Sequence, residues 1–197
     1  MKLKELGARM RAKELTLPVP PDPYVVARLD GRGFTKLIHE DFGVLDAFEP
    51  AFHVRMVHVV RHLMKDSGFS PVYGYTQSDE VSLLFKPGDV TFGRKGSKWV
   101  SVLAAEASAC MSLFLGKHAV FDCRLSPLED VEQVVTYFRW RQSDAERNAL
   151  NSLCFWGLVR DGKSREEAHR TLKGMGVDAK RALRDANGYG VDGFEDA

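Results

Sequence analysis

The chain has 197 residues, 44% of them hydrophobic and 28% charged, which supplies a sizeable core and excludes global disorder. Lys and Arg total 28 against 27 Asp and Glu, a formal charge of +1 that argues against a uniformly basic nucleic-acid coat. Cys110, Cys123 and Cys154 are odd in number and lack metal-type spacing, no stretch reads as a secretory signal, and no apolar run approaches the roughly 18 residues of a membrane span. The expectation is a reduced, soluble, cytoplasmic protein with no membrane partner.

Residues 1–14 hold five basic and two acidic side chains. Pro18, Pro20, Pro21 and Pro23 make residues 15–23 an extended connector. Residues 24–29 form a nearly continuous apolar strand, ended by the turn Asp30-Gly31-Arg32-Gly33-Phe34. Helical periodicity follows over 48–65, with Phe52, Met56, Val59 or Val60, and Leu63 on one face and Gly68 beyond its end. Strands are expected at 72–75 and 81–85, joined by the polar run Thr76-Gln77-Ser78-Asp79-Glu80 as a hairpin. A second helix over 98–115 and a strand over 119–123 complete a βαββαβ order, the split βαβ pattern. Beyond it, helices are expected over 131–149, 150–160 and 164–172, the last opened by a capping box at Ser164 and Glu167. Residues 1–127 are thus assigned to an α+β domain and 128–197 to a helical C-terminal extension. Residues 160–184 carry eight basic and four acidic side chains, so charge is segregated within the neutral total.

In such a topology the first strand and the hairpin are neighbours. Asp30 then lies at the carboxyl end of one strand and Asp79 and Glu80 lie on the hairpin, at the same sheet edge. Carboxylates so placed suit Mg²⁺, which takes oxygen ligands together with substrate phosphates. Gly31 lets a ligand approach the backbone, having no Cβ. Arg94, Lys95, Ser97 and Lys98 open the second helix, where cations and helix N–H groups suit phosphate. Each feature alone is ordinary: an Asp-Gly turn, a solvated hairpin tip, an exposed helix start. Together they resemble the two halves of a nucleotidyl-transfer centre. His53, His58 and His62 recur along one helix without a third convergent ligand and are expected to be solvated or core histidines. Phe138, Trp140, Phe155 and Trp156 are expected to pack rather than stack on bases.

Five motifs in order identify the reaction by likeness. These are Arg28-Leu29-Asp30-Gly31-Arg32-Gly33-Phe34, Tyr73 through Ser82, Arg94-Lys95-Gly96-Ser97-Lys98, Phe121-Asp122-Cys123-Arg124 and Trp140-Arg141-Gln142-Ser143-Asp144. Across residues 24–172 the sequence resembles the tRNA-histidine guanylyltransferase family, including its guanylyltransferase-like 3′-to-5′ polymerases. The resemblance implies a polymerase-palm catalytic domain with two Mg²⁺ ions, held by Asp30, Asp79 and the Gly31 carbonyl, with Glu80 as a supporting acid. It implies nucleotide contacts from Asp30, Gly31, Arg32, Gly33, Phe34, Thr35, Ser78 and Asp79, phosphate contacts from Arg94, Lys95, Ser97 and Lys98, and a further contact at Asn148. It also implies tRNA as substrate, ATP and GTP or another nucleoside triphosphate as co-substrates, and a homotetramer.

Two departures distinguish this chain. Glu146-Arg147-Asn148-Ala149 stands where eukaryotic guanylyltransferases carry His-Ile-Asn-Asn, and residues 41–46 lack a lysine that the family places there. The first points to the polymerase-like branch, which restores truncated 5′ ends. A palm-type nucleotidyl cyclase and a non-catalytic tRNA-binding module are the rival readings.

Overall fold

A computed structural model describes residues 5, 8–10, 12–15, 17–34, 36, 37 and 50–190. Thr35 and residues 41–46, on which two of the expectations fall, lie outside the described residues. The elements are β1 (Tyr24–Gly31), α1 (Pro50–Lys65), β2 (Tyr73–Gln77), β3 (Glu80–Phe85), α2 (Gly96–Leu115), β4 (Phe121–Leu128), α3 (Val131–Arg160), α4 (Arg165–Leu172) and α5 (Val177–Asn187). The α+β class is as expected: four strands in the order β2-β3-β1-β4, with β1 antiparallel to both β3 and β4.

The chain divides into two compact units. One contains residues 1–32, 59–76 and 80–130 and holds the sheet. Alternation along its strands makes two faces. Val25, Ala27 and Leu29 oppose Phe85, Leu83 and Val81 across β1 and β3, and all six are at most 1% exposed. That apolar face takes α2, whose Trp99 ring lies 4.6 Å from Phe85 and 5.7 Å from Phe69. Trp99, Leu103, Ala107 and Met111 recur every four residues, all fully buried. At the far end, Ser108 and Ser112 accept from the backbone N–H groups of Phe121 and Ala119, each at 2.9 Å, which seats β4 against the helix. Gly116, in the left-handed region at φ 65, stops α2.

The other unit contains residues 33–58, 77–79 and 131–197. Its core is Leu150, Cys154 and Leu158 of α3 with Ala168 and Leu172 of α4 and Tyr189. The capping box forms: Glu167 N–H donates to Ser164 Oγ at 3.2 Å, and Ser164 N–H donates to Glu167 Oε2 at 2.8 Å.

Three expectations are corrected. The helices over 131–149 and 150–160 are one 30-residue helix, because the buried stripe changes face (Val134, Tyr137 and Arg141, then Leu150, Cys154 and Leu158) with no Gly or Pro at the change. The strand over 119–123 runs instead from Phe121 to Leu128, tolerating Pro127 because β4 is an edge strand. The helical remainder expected after residue 128 also includes α5, in agreement with the sequence. Finally, α2 is long and apolar enough, by length and composition, to cross a membrane; its buried stripe instead serves the sheet. All three cysteines are free.

Candidate functional site

The sheet's second face is polar at one end. Directly opposed residues on antiparallel strands share a face, as do residues two apart on a strand. Asp30 on central β1 opposes Glu80 on β3 and Asp122 on β4, a row of three acids. Two residues back, Arg28 opposes Ser82 and Arg124, a row with two arginines. Carboxylates are thus lined along the sheet's edge with guanidiniums immediately behind them.

The cations hold this row together. Arg28 Nη1 pairs with Glu80 Oε2 at 3.7 Å, with the two side chains only 18% and 9% exposed. Arg124 Nη2 donates to Asp122 Oδ1 at 3.1 Å. The Arg124 guanidinium pKa is raised chiefly by that hydrogen bond, then by the Asp122 charge, with smaller contributions from Asp30 and Glu80. Arg28, Asp122 and Arg124 receive no role in the sequence reading. The available signal was spacing: Arg28 and Asp30, like Asp122 and Arg124, stand at i and i+2, which puts each pair on one face of its strand.

Asp79 precedes Glu80 in the two-residue tip left between β2 and β3. Ser78 sits in the left-handed region at φ 48, uncommon for a residue with a Cβ. Its hydroxyl donates to Asp79 Oδ1 at 3.1 Å. Thr76 Oγ1 donates to the Glu80 carbonyl at 2.9 Å, bracing the base of the tip. Gly31 ends β1 opposite Phe121, and Arg32 N–H donates to the Val120 carbonyl at 2.8 Å, extending the ladder one step into the turn. Arg32 and Gly33 are exposed, Gly33 at φ 73. Phe34 is 1% exposed, its ring 5.9 Å from Phe52, so it anchors the turn from below. Asn148 lies on α3, where its amide donates to Asp144 at 3.4 Å.

Arg94, Lys95, Ser97 and Lys98 are not brought to the acidic row. They precede or open α2 beside Trp99, which packs on Phe85, the partner of Val25 at the start of β1. From Val25 to Asp30 at about 3.3 Å per residue, the separation is about 17 Å, beyond the reach of a lysine. The two expected halves of one centre therefore lie at opposite ends of the sheet. Nor is the Arg94 guanidinium open to a phosphate: it donates to the backbone carbonyls of Val19, Pro20 and Asp89. Lys95, Ser97 and Lys98 are exposed, with Lys98 Nζ 5.7 Å from the centre of the Phe92 ring.

Among the described residues, no group of three or more His, Cys, Asp or Glu is arranged to hold a metal ion. His62 is occupied by Glu106, at 2.7 Å. Trp156 is buried, as expected, whereas Trp140 is 52% exposed beneath the Arg141 guanidinium at 4.4 Å.

Comparison with known proteins identifies the family and the fold. Residues 7–130 match the family described as tRNAHis guanylyltransferase, and residues 132–187 match the Thg1 C terminal domain. The tRNA(His) guanylyltransferase of Debaryomyces hansenii is 29% identical over 78% of this chain and 62% of its own length. That of Neurospora crassa is 30% identical over 72% and 52%. The chain thus spans little more than half the length of these relatives. Among solved structures, the Saccharomyces cerevisiae tRNA(His) guanylyltransferase superposes with a TM-score of 0.76, covering 93% of this chain and 85% of its own at 19% identity, a likeness of fold. A bacterial Thg1-like protein in complex with ATP gives a TM-score of 0.66 at 26% identity, covering 86% and 79%.

Proposed function

Because the chain belongs to the tRNAHis guanylyltransferase family, we propose that it is a nucleotidyltransferase that adds nucleotides to the 5′ end of tRNA, in the 3′-to-5′ direction. The observation that carries this reading is the row Glu80–Asp30–Asp122 at the end of a palm-like sheet, with arginines behind it and Asp79 next in the chain. ATP and a second nucleoside triphosphate such as GTP are the proposed co-substrates, in keeping with the bacterial relatives in complex with ATP and GTP. The catalytic part is assigned to residues 1–127 and the helical part to 128–197. Glu146, Arg147 and Ala149, in place of the family's other residues around Asn148, favour 5′-end restoration over dedicated guanosine addition.

The donor set fits Mg²⁺. Asp30 and Asp79 offer carboxylates and Gly31 a carbonyl, and Mg²⁺ is typically held by one or two carboxylates plus substrate phosphates. Such an ion, when bound, offsets charge on the phosphoryl oxygens. The chain's own residues do the positioning. The Ser78 hydroxyl orients Asp79. Arg28 pairs with the nearly buried Glu80 and offsets its charge. Arg124 offsets part of the repulsion among Asp30, Glu80 and Asp122. The buried Phe34 ring fixes the turn at which Gly31 through Gly33 accept a nucleotide. Lys95, Ser97 and Lys98 engage a phosphate other than the one beside Asp30 of the same chain, since the sheet's length separates them.

The test offers the protein a 5′-monophosphorylated tRNA lacking its first nucleotide and a full-length tRNA-histidine, then sequences the 5′ ends. Extension of the truncated tRNA, lost in Asp79→Ala with the circular dichroism spectrum unchanged, is the expected result. Near-parental extension by that variant would overturn the site. A cyclic nucleotide released without RNA would overturn the reaction. The proposed assembly is a homotetramer, expected to scatter light with four times the mass of the chain.

A further inference from the structure

We propose that a cleft formed by α3 and α4 is a binding site for an RNA phosphodiester. The cleft has a volume of about 290 Å³ and is lined by Asn151, His169, Arg170, Leu172 and Lys173. Its polar lining is made of donors. Lys180 Nζ donates to Asn151 Oδ1 at 2.8 Å, which occupies the carboxamide oxygen and leaves the NH₂ end, with two donors, for the cleft. His169 is held by the Phe155 ring, 4.9 Å away at 51°. Leu172, 5% exposed, forms the floor.

Among the described residues Arg170 and Lys173 form no salt bridge, although the Arg170 charge reaches Glu167. Arg170 and Lys173 are exposed, and the acid three residues before Arg170, Glu167, is engaged by Ser164 in the capping box. That engagement chiefly, with smaller contributions from the Arg170 and Lys163 charges, holds the Glu167 carboxyl below its ordinary pKa. Guanidinium, ammonium, imidazole and carboxamide donors over an apolar floor match the oxygens of a phosphate. The charge continues beyond the cleft, with Lys163 and Arg165 at the other end of α4, eight residues or about 12 Å long. A row of that length suits a polyanion better than an isolated phosphate. An RNA backbone is therefore the occupant, a choice that rests on the tRNA reading above.

A competing role exists for the same side chains: cations in a last helical turn complement the helix dipole. Salt dependence separates the two. A labelled tRNA is titrated with the full chain at a series of salt concentrations, comparing parent, Arg170→Gln/Lys173→Gln, the charge-preserving Arg170→Lys/Lys173→Arg, and Arg181→Gln as a control elsewhere on α5. Each phosphate contact contributes about 0.9 to the slope of log K against log salt. The Gln pair is expected to weaken binding roughly tenfold near 0.1 M salt and to lower the slope by about 1 to 2, with the charge-preserving pair close to parental and the control within about twofold. A Gln pair with parental affinity and slope would overturn the proposal, leaving helix complementation. So would an equal loss in Arg181→Gln, which would signify diffuse charge alone. Loss of inorganic phosphate or GTP binding with tRNA binding intact would overturn the RNA assignment. If the parent extends no tRNA yet the Gln pair shows the slope loss, the catalytic reading fails and this site stands.

Discussion

Arg94 is a basic residue in a phosphate-like motif whose charge is spent inside the protein. Phe92, Gly93 and Arg94 all have positive φ, at 49, 61 and 54, in the tight turn before α2. Two of the three carry a Cβ, so the turn is strained and needs external support. The Arg94 guanidinium supplies it through the carbonyls of Val19, Pro20 and Asp89. Arg94→Ala is therefore expected to lower stability by about 2 kcal/mol, measured as a drop in the urea midpoint, and Arg94→Lys is expected not to restore it, because an ammonium cannot span three divergent acceptors. The motif's residue types were plain in the sequence. Their direction was not, because it depends on backbone conformation at Phe92 and Gly93 and on the connector 75 residues upstream in the case of Val19.

Element by element, what was legible followed from periodicity and what was not followed from packing. The βαββαβ order was evident because strand alternation and helix spacing are local. The continuity of α3 was not, because its buried stripe changes face while its backbone continues unbroken. Gly157 illustrates the same limit. A glycine inside a helix costs about 1 kcal/mol relative to alanine, so sequence alone marks it as a weakness. The structure explains it: a Cβ at Gly157 would meet the Tyr189 ring at 2.3 Å. Gly157→Ala is expected to destabilise by about 1–3 kcal/mol through overpacking. In a Tyr189→Ala background the same substitution should become neutral or stabilising, a sign change that a double-mutant cycle of thermal melts would read directly. The acidic row was half legible. Asp30, Asp79 and Glu80 stood out as acids at turns, but Asp122 emerged opposite Asp30 only from the strand register.

At the scale of the whole molecule, stability at alkaline pH is shaped most by two groups, with the Cys110 and Cys154 thiols, also raised by burial, acting in the same direction. Burial, with a contribution from the Asp122 charge, pushes the Cys123 thiol up to about 12 from 9.0. Burial and the hydrogen bond to Asp161 push the Tyr189 hydroxyl up to about 12 from 10.0. Between the unfolded and folded values the native protein holds protons that the unfolded chain has released, so stability must fall as pH rises. The decline is expected to begin near pH 9, where the unfolded thiol ionises, and to steepen above pH 10 with the tyrosine. Urea melts across that range would check it; Cys123→Ala should flatten the first part of the decline and leave the second.

The connector before β1 has one more consequence. Val19 N–H donates to the Arg94 carbonyl, Gly96 N–H to the Leu17 carbonyl, and Pro18 bridges to Lys95, so residues 17–20 and the start of α2 are stitched into a single piece. A Cβ at Gly96 would meet the Leu17 carbonyl at 2.4 Å, so there is no slack in the seam. Linkage then runs both ways across it. An anion that grips Lys95 and Lys98 only in the stitched state tightens the connector by the free energy of that preference. Loosening the connector weakens the grip by the same amount. A stretch of prolines with no chemistry of its own would thereby become part of the affinity for any phosphate bound by those lysines.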